Sequence, residues 1–119
     1  MPAYYFNLDE VIVKGDDRSI TLTFSDTAGD PVDISAWTFY YAADERNGTG
    51  AITVADGSMT KSDSGRGVTD TVTIPRADTV TNVTVGFWDH DIAVKDASDE
   101  ITTIAKGVLT IVDRETTVA

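Results

Sequence analysis

Apolar and polar residues alternate along most of this chain with a period of two. Ile20, Leu22 and Phe24 interleave with Thr21, Thr23 and Ser25, and Trp88, His90, Ile92 and Val94 interleave with Phe87, Asp89, Asp91 and Ala93. A strand sends successive side chains to opposite faces, so this spacing predicts sheets with one covered face. The pattern predicts strands over Tyr4 to Lys14, Ser19 to Ser25, Ala36 to Ala43, Ala51 to Ala55, Thr69 to Pro75, Thr84 to Lys95 and Ile101 to Val112. Between them lie clusters of Gly, Pro, Asn, Asp and Ser, the residues that turns use. They are Thr27 to Pro31, Glu45 to Gly50, Asp56 to Ser58, Ser62 to Gly67 and Asp96 to Asp99. No stretch of helical length repeats apolar residues at three and four; Arg76 to Val80 allows a single helical turn. About seven short strands in 119 residues predict one all-β antiparallel sandwich over the whole chain, 1–119.

The alternation also assigns a core. Leu22, Phe24, Trp37 or its neighbour Phe39, Trp88, Ile92, Val94, Leu109 and Ile111 fall on the inward parity, with His90 among them. In the last strand Ile104 shares its parity with Lys106, whereas Leu109 and Ile111 take the other; a bulge at Lys106-Gly107 would restore the register. Ahead of the first confident strand, residues 1–7 hold Tyr4, Tyr5 and Phe6, either the first half of a long edge strand or a docking arm. Residues 114–119 read as a short frayed tail.

Composition narrows the chemistry. The chain has no cysteine, which removes disulfides, thiolate zinc sites and a cysteine nucleophile. Twenty acidic residues against nine basic ones give a net charge of −11, and lysine occurs only at 14, 61, 95 and 106. Nucleic acid is not expected as a partner, since a polyanion repels such a field. No basic leader precedes an apolar stretch, and nothing approaches the ~18 continuous apolar residues of a membrane helix, so no membrane is expected either. Many aspartates with few lysines suit high salt, where charges are screened over ~3 Å at 1 M, and point to a halophilic source.

No nucleophile or metal-ligand constellation stands out, and acid/base hydrolysis by paired carboxylates, the remaining enzymatic reading, needs a cleft that a seven-stranded sandwich of this length has little material to build. His90 lies between Asp89 and Asp91, but on a strand the two carboxylates point away from the imidazole, so a structural histidine is expected rather than a metal ligand. The oxygen-rich run Asp96 to Glu100 offers calcium-type donors, but it lacks the spacing of a calcium-binding helix-loop-helix and is read as an acidic hairpin turn, as is Asp16-Asp17. None of the serines sits in G-x-S-x-G or beside a histidine positioned to deprotonate it. Gly65-Arg66-Gly67 has the composition of an anion cradle or of a mobile loop. Asn47-Gly48-Thr49 and Asn82-Val83-Thr84 match the glycosylation acceptor pattern. The expectation is a protein with no catalytic residue, no metal and no cofactor.

One order of residues is familiar. Lys14-Gly15-Asp16-Asp17 precedes a strand, then comes Asp26-x-x-Gly29-x-Pro31-Val32-Asp33-Ile34-Ser35-x-Trp37-x-Phe39. Later follow Asp91-Ile92-x-Val94-x-Asp96 and Ile101-x-Thr103-Ile104-x-x-Gly107-x-Leu109-x-Ile111. This resembles the immunoglobulin-like N-terminal domain of baseplate upper proteins of tailed bacteriophages, a module reused in head fibres and decoration proteins, over roughly Leu8 to Asp113. The resemblance implies an immunoglobulin-like sandwich in a virion, and with the acidic composition it points to a tailed virus of a halophilic archaeon. It implies a non-enzymatic capsid decoration, turret or fibre subunit. That subunit would contact other virion proteins or copies of itself, with Tyr4, Tyr5 and Phe6 as the expected contact. A baseplate or tail component, or a host-surface carbohydrate- or receptor-binding module, is the alternative. In that family a longer C-terminal region usually follows the module, whereas here 119 residues end soon after the last strand.

Overall fold

The computed structural model describes residues 6–77 and 83–113. Nine strands run in chain order: β1 (Phe6–Asn7), β2 (Glu10–Val13), β3 (Ile20–Thr23), β4 (Thr38–Glu45), β5 (Ala51–Ala55), β6 (Thr60–Ser62), β7 (Thr71–Ile74), β8 (Gly86–Lys95) and β9 (Ile101–Val112). They form two sheets. The larger has the order β1/β2-β9-β8-β4-β5 and the smaller β3-β7-β6. The two sheets pack as a β-sandwich, in which each turns its apolar face inward. The core is one continuous cluster built from both inner faces, with Phe24, Ile34, Phe39, Val72, Ile74, Ile92, Val94, Ile104 and Leu109 fully buried. All the expected apolar core residues are in it, Trp37 and Phe39 both point inward, and His90 is buried as a polar residue.

Three differences from the expected strands have physical causes. The N-terminal strand is interrupted at Leu8 and Asp9, and both halves pair parallel with β9, whereas the remaining ladders are antiparallel. Strand β6 lies in a stretch without alternation, because its inward position is taken by Lys61, whose ammonium donates to the Trp37 carbonyl and sits 5.7 Å from the Phe39 ring centroid. The bulge falls earlier than Lys106-Gly107: Ile92 pairs with Ala105 but Ala93 with Thr103, so Ile104 is the extra residue, and Ile104 and Ala105 both face the core. Gly107 has another task. A Cβ there would lie 2.5 Å from the Asp9 nitrogen and the Leu8 carbonyl carbon, so glycine lets the N-terminal strand cross β9. Of the helical turn expected at 76–80, residues 78–80 lie outside the described residues, and 76–77 are not helical.

An aromatic cluster fills one part of the interior. Phe24 meets Phe6 edge-on at 5.9 Å and Trp37 edge-on at 5.4 Å, with Phe39 tilted against both. Such offset and edge contacts add about 0.5–1.5 kcal/mol each beyond burial.

Candidate functional site

The single histidine belongs to a buried polar chain that joins the two sheets. His90 Nε2 lies against the Leu8 carbonyl, which only accepts, so this nitrogen carries the proton. His90 Nδ1 is then the acceptor for the Tyr41 hydroxyl at 2.8 Å. On the other side of Tyr41, the Arg76 guanidinium stands 5.6 Å from the ring centroid and forms a two-pronged pair with Glu10, both bonds 2.7 Å. Arg76 Nε donates to the Arg18 carbonyl. Arg76 is only 1% exposed, a burial that such a charge tolerates only with its donors satisfied. The chain thus clamps β2 and the β1–β2 corner to β4, β8 and the segment after β7.

Electrostatics agree with that direction of donation. Burial drives the His90 pKa below its usual value and outweighs the Leu8 hydrogen bond and the Glu10 charge, so the ring is neutral. Burial also pushes the Tyr41 hydroxyl up to about 12, against the opposing pull of Arg76. For Glu10, burial alone would raise the pKa, but the Arg76 hydrogen bonds and charge outweigh it and hold the carboxyl low. Each polar atom named has a partner inside the fold. It is a structural brace between the two sheets.

The loops that suggested ligand sites are satisfied by their own chain. In 62–70 the fully buried Asp70 accepts from the Ser64 hydroxyl at 2.7 Å, the Ser64 amide at 2.9 Å, Arg66 and the Thr71 hydroxyl. These bonds, led by the Ser64 hydroxyl, hold its carboxyl far below the usual aspartate range. Arg66 also reaches the Phe24 and Gly29 carbonyls and Ser25, strapping this loop to the Asp26–Pro31 turn. The amides of Gly65, Arg66 and Gly67, which would cradle an anion, all donate to the Asp63 carboxylate. Asp96 plays the same part in its turn, accepting from the Ser98 and Glu100 amides at 2.9 and 3.0 Å. Asp26 does likewise for Ala28 and Asp30. Among the described residues no three His, Cys, Asp or Glu side chains are grouped to hold a metal ion.

The two outer faces differ in kind. On the smaller sheet, Thr21 stands opposite Thr73 and Thr23 opposite Thr71, with hydroxyls 3.4 and 3.0 Å apart, and Thr60 and Ser62 continue the ranks on β6. The outer face of the larger sheet carries apolar residues at both ends and charges between. At one end Val11, Thr110 and Phe87 form a rank across β2, β9 and β8, with Val112 and Val85 nearby; Val11 is 62% exposed and Phe87 56%. At the other, Tyr40 stands opposite Ala55 and Ala93, and Ile101 is exposed beyond. Between these ends Asp44 pairs in register with Asp89, and Asp91 with Lys106. Arg46 forms an exposed ion pair with Asp89 and lowers its pKa.

Of the expected contact residues, Tyr4 and Tyr5 lie outside the described residues. Phe6 is half-buried in β1 and its ring packs against Phe24. Asn47 lies in the exposed β4–β5 turn; Asn82 is outside the described residues. Sequence reading missed Glu10, Tyr41 and Arg76, whose partners are far apart along the chain, and it missed Val11, Asp44 and Lys106 as surface features. Outward parity in the alternating strands was the available signal for the last three. Comparison of the sequence with protein-family models and with curated proteins returned no match.

Proposed function

We propose that this chain is a non-enzymatic structural subunit of a tailed-virus particle, a capsid decoration, turret or fibre component that works through protein–protein contacts. The observation that supports this reading most is the commitment of its polar groups. The histidine, the buried arginine and the loop carboxylates all bond within the fold, and what is left to the outside is a broad sheet face with exposed apolar residues. The motif resemblance from Lys14 to Ile111 supplies the virion context. A baseplate or tail position is the second reading, favoured by the same motif order.

Counting copies per purified particle tests the assignment. A multiple of sixty places the chain on the capsid lattice and a multiple of three or six on the tail, whereas absence from particles refutes a virion role. Deleting residues 2 to 5, which keeps the Phe6 ring on Phe24, is expected to leave the sandwich folded and to abolish incorporation; normal incorporation would remove Tyr4 and Tyr5 from the contact. The halophilic source has its own check. With a charge of −11, the melting temperature is expected to rise from tenths molar to several molar salt as aspartate repulsion is screened, and a flat profile contradicts it.

A further inference from the structure

We infer that Asn47 is a self-modifying site: the Gly48 amide nitrogen closes on the Asn47 side-chain amide, expels ammonia and leaves a cyclic imide that water opens to aspartate or isoaspartate. The inference stands on the chemistry of the β4–β5 turn whether or not the chain belongs to a particle, so it fails separately from the virion reading.

The fold sets this turn up. Glu45 closes it, its amide donating to the Gly50 carbonyl at 2.9 Å and its Oε1 accepting the Gly50 amide at 3.2 Å. A Cβ on Gly48 would fall on that carboxylate and displace it from Gly50, so glycine at 48 keeps the turn closed. The same glycine leaves the attacking nitrogen unshielded. Asn47, Gly48 and Thr49 are exposed, and among the described residues neither the Asn47 side chain nor the Gly48 amide has a hydrogen-bond partner. No hydrogen bond has to break before the two groups meet.

Comparable positions in the described chain are held. Asn7 Oδ1 accepts the Asp9 amide at 3.1 Å, and the Leu8 amide, which would have to attack, donates to the Lys106 carbonyl at 3.2 Å. Asp56 also precedes a glycine, and a Cβ on Gly57 would meet nothing, but Asp56 Oδ1 accepts the Phe39 amide at 2.8 Å and lies 3.4 Å from the Lys61 ammonium. The reaction at Asn47 needs only water and hydroxide. Hydroxide takes the Gly48 amide proton, the new bond joins that nitrogen to Asn47 Cγ, and the side-chain nitrogen leaves as ammonia with a proton from water. Water then breaks the imide at the side-chain carbonyl, giving aspartate, or at the main-chain carbonyl, giving isoaspartate with one more atom in the main chain. Either product adds a negative charge beside Glu45 in a chain already at −11, and consumes the acceptor amide of Asn47-Gly48-Thr49.

Peptide mapping of the full chain by mass spectrometry tests this after incubation between about pH 7 and about pH 9, folded and in guanidinium chloride. Both aspartate and isoaspartate are expected at position 47, at a rate that rises in proportion to hydroxide and is at least about tenfold above any change at Asn7 or Asp56 in the folded chain. An exposed turn opens at almost no cost, so denaturing the chain is expected to speed conversion of Asn47 by less than about tenfold. Asn47→Gln, which would have to close a larger ring, should remove isoaspartate from this peptide and leave the circular dichroism unchanged. Asn47 intact in the folded chain while the denatured chain converts overturns the inference. So does aspartate without isoaspartate, faster change at Asn7 or Asp56, or a glycan on Asn47 in the protein as isolated.

Discussion

The outer faces of the two sheets are built from the same alternation and end in opposite states. On the small sheet the outward positions are hydroxyls that bond to one another. Thr71 gives its one proton to Asp70, so Thr23 donates to Thr71, and the face closes on itself. On the large sheet the outward positions are valines, a phenylalanine, a tyrosine and opposed charges that nothing in the described chain covers. One sheet is finished by its own side chains; the other is left with exposed apolar surface at both ends of a charged band. Among the described residues, interaction capacity is therefore to be sought on the large sheet.

The largest effects come from separating the sheets, because both faces depend on the brace between them. Arg76→Met leaves Glu10 without its partner in a half-buried site and is expected to cost about 3–5 kcal/mol in denaturant unfolding. Trp88→Ala, which removes a side chain that is 1% exposed and whose indole donates to the Thr84 carbonyl, is expected to cost a similar ~3–5 kcal/mol. A loss under about 1 kcal/mol for either would show that the interior is not organised as described. Gly107→Ala should unseat the β1–β2 crossing, read as faster amide exchange at Leu8 to Val13 than at Val72.

Acid should act through the same brace. The folded state keeps His90 neutral and holds its pKa below the ordinary 6.5, so the unfolded chain binds the additional proton. Stability is then complete above that value and falls as pH drops toward the folded-state pKa. Glu10 and Asp70, both depressed, add a further loss below their ordinary values of 4.5 and 3.8. At the alkaline end Tyr41 has the opposite sign: its pKa is raised to about 12, so stability is lost as pH climbs from about 10 through about 12, by up to roughly 2–3 kcal/mol. Melting temperature against pH checks both limbs; a profile level from pH 7.5 to 5 would contradict the buried neutral histidine.

Smaller effects distinguish the faces themselves. Thr23→Val on the small sheet removes a half-buried hydrogen bond, with an expected change of about 0.5–1.5 kcal/mol and none in incorporation into particles. Phe87→Asp on the large sheet should change stability by about 0.5 kcal/mol or less while reducing incorporation. The reverse pattern would exchange the roles of the two sheets.

Strand positions were legible where alternation was strong. Strands β4, β5, β8 and β9 sit close to where the pattern places them, and the inward parity of Trp88, His90, Ile92 and Val94 is as read. Strand β6 was hidden because its inward residue is a lysine, and local pattern cannot register a side chain that snorkels to a carbonyl. Parallel pairing of β1 and β2 with β9 joins segments about 100 residues apart, and no short-range signal encodes it. Gly107 drew the bulge to the wrong place, since a glycine needed for close backbone approach looks the same in sequence as one needed for a bulge. The histidine's structural role followed from geometry alone, but its partners Tyr41 and Arg76 required the fold.

The most direct test of the contrast between the faces is residue-resolved. Amide chemical shifts of the chain, followed by nuclear magnetic resonance as the other proteins of the particle are added, report which surface becomes covered. Shifts are expected at Val11, Asp44, Phe87, Lys106 and Val112, with Thr21, Thr23, Thr60 and Thr73 unmoved. Shifts confined to the threonine face, or none on either face, would contradict the account.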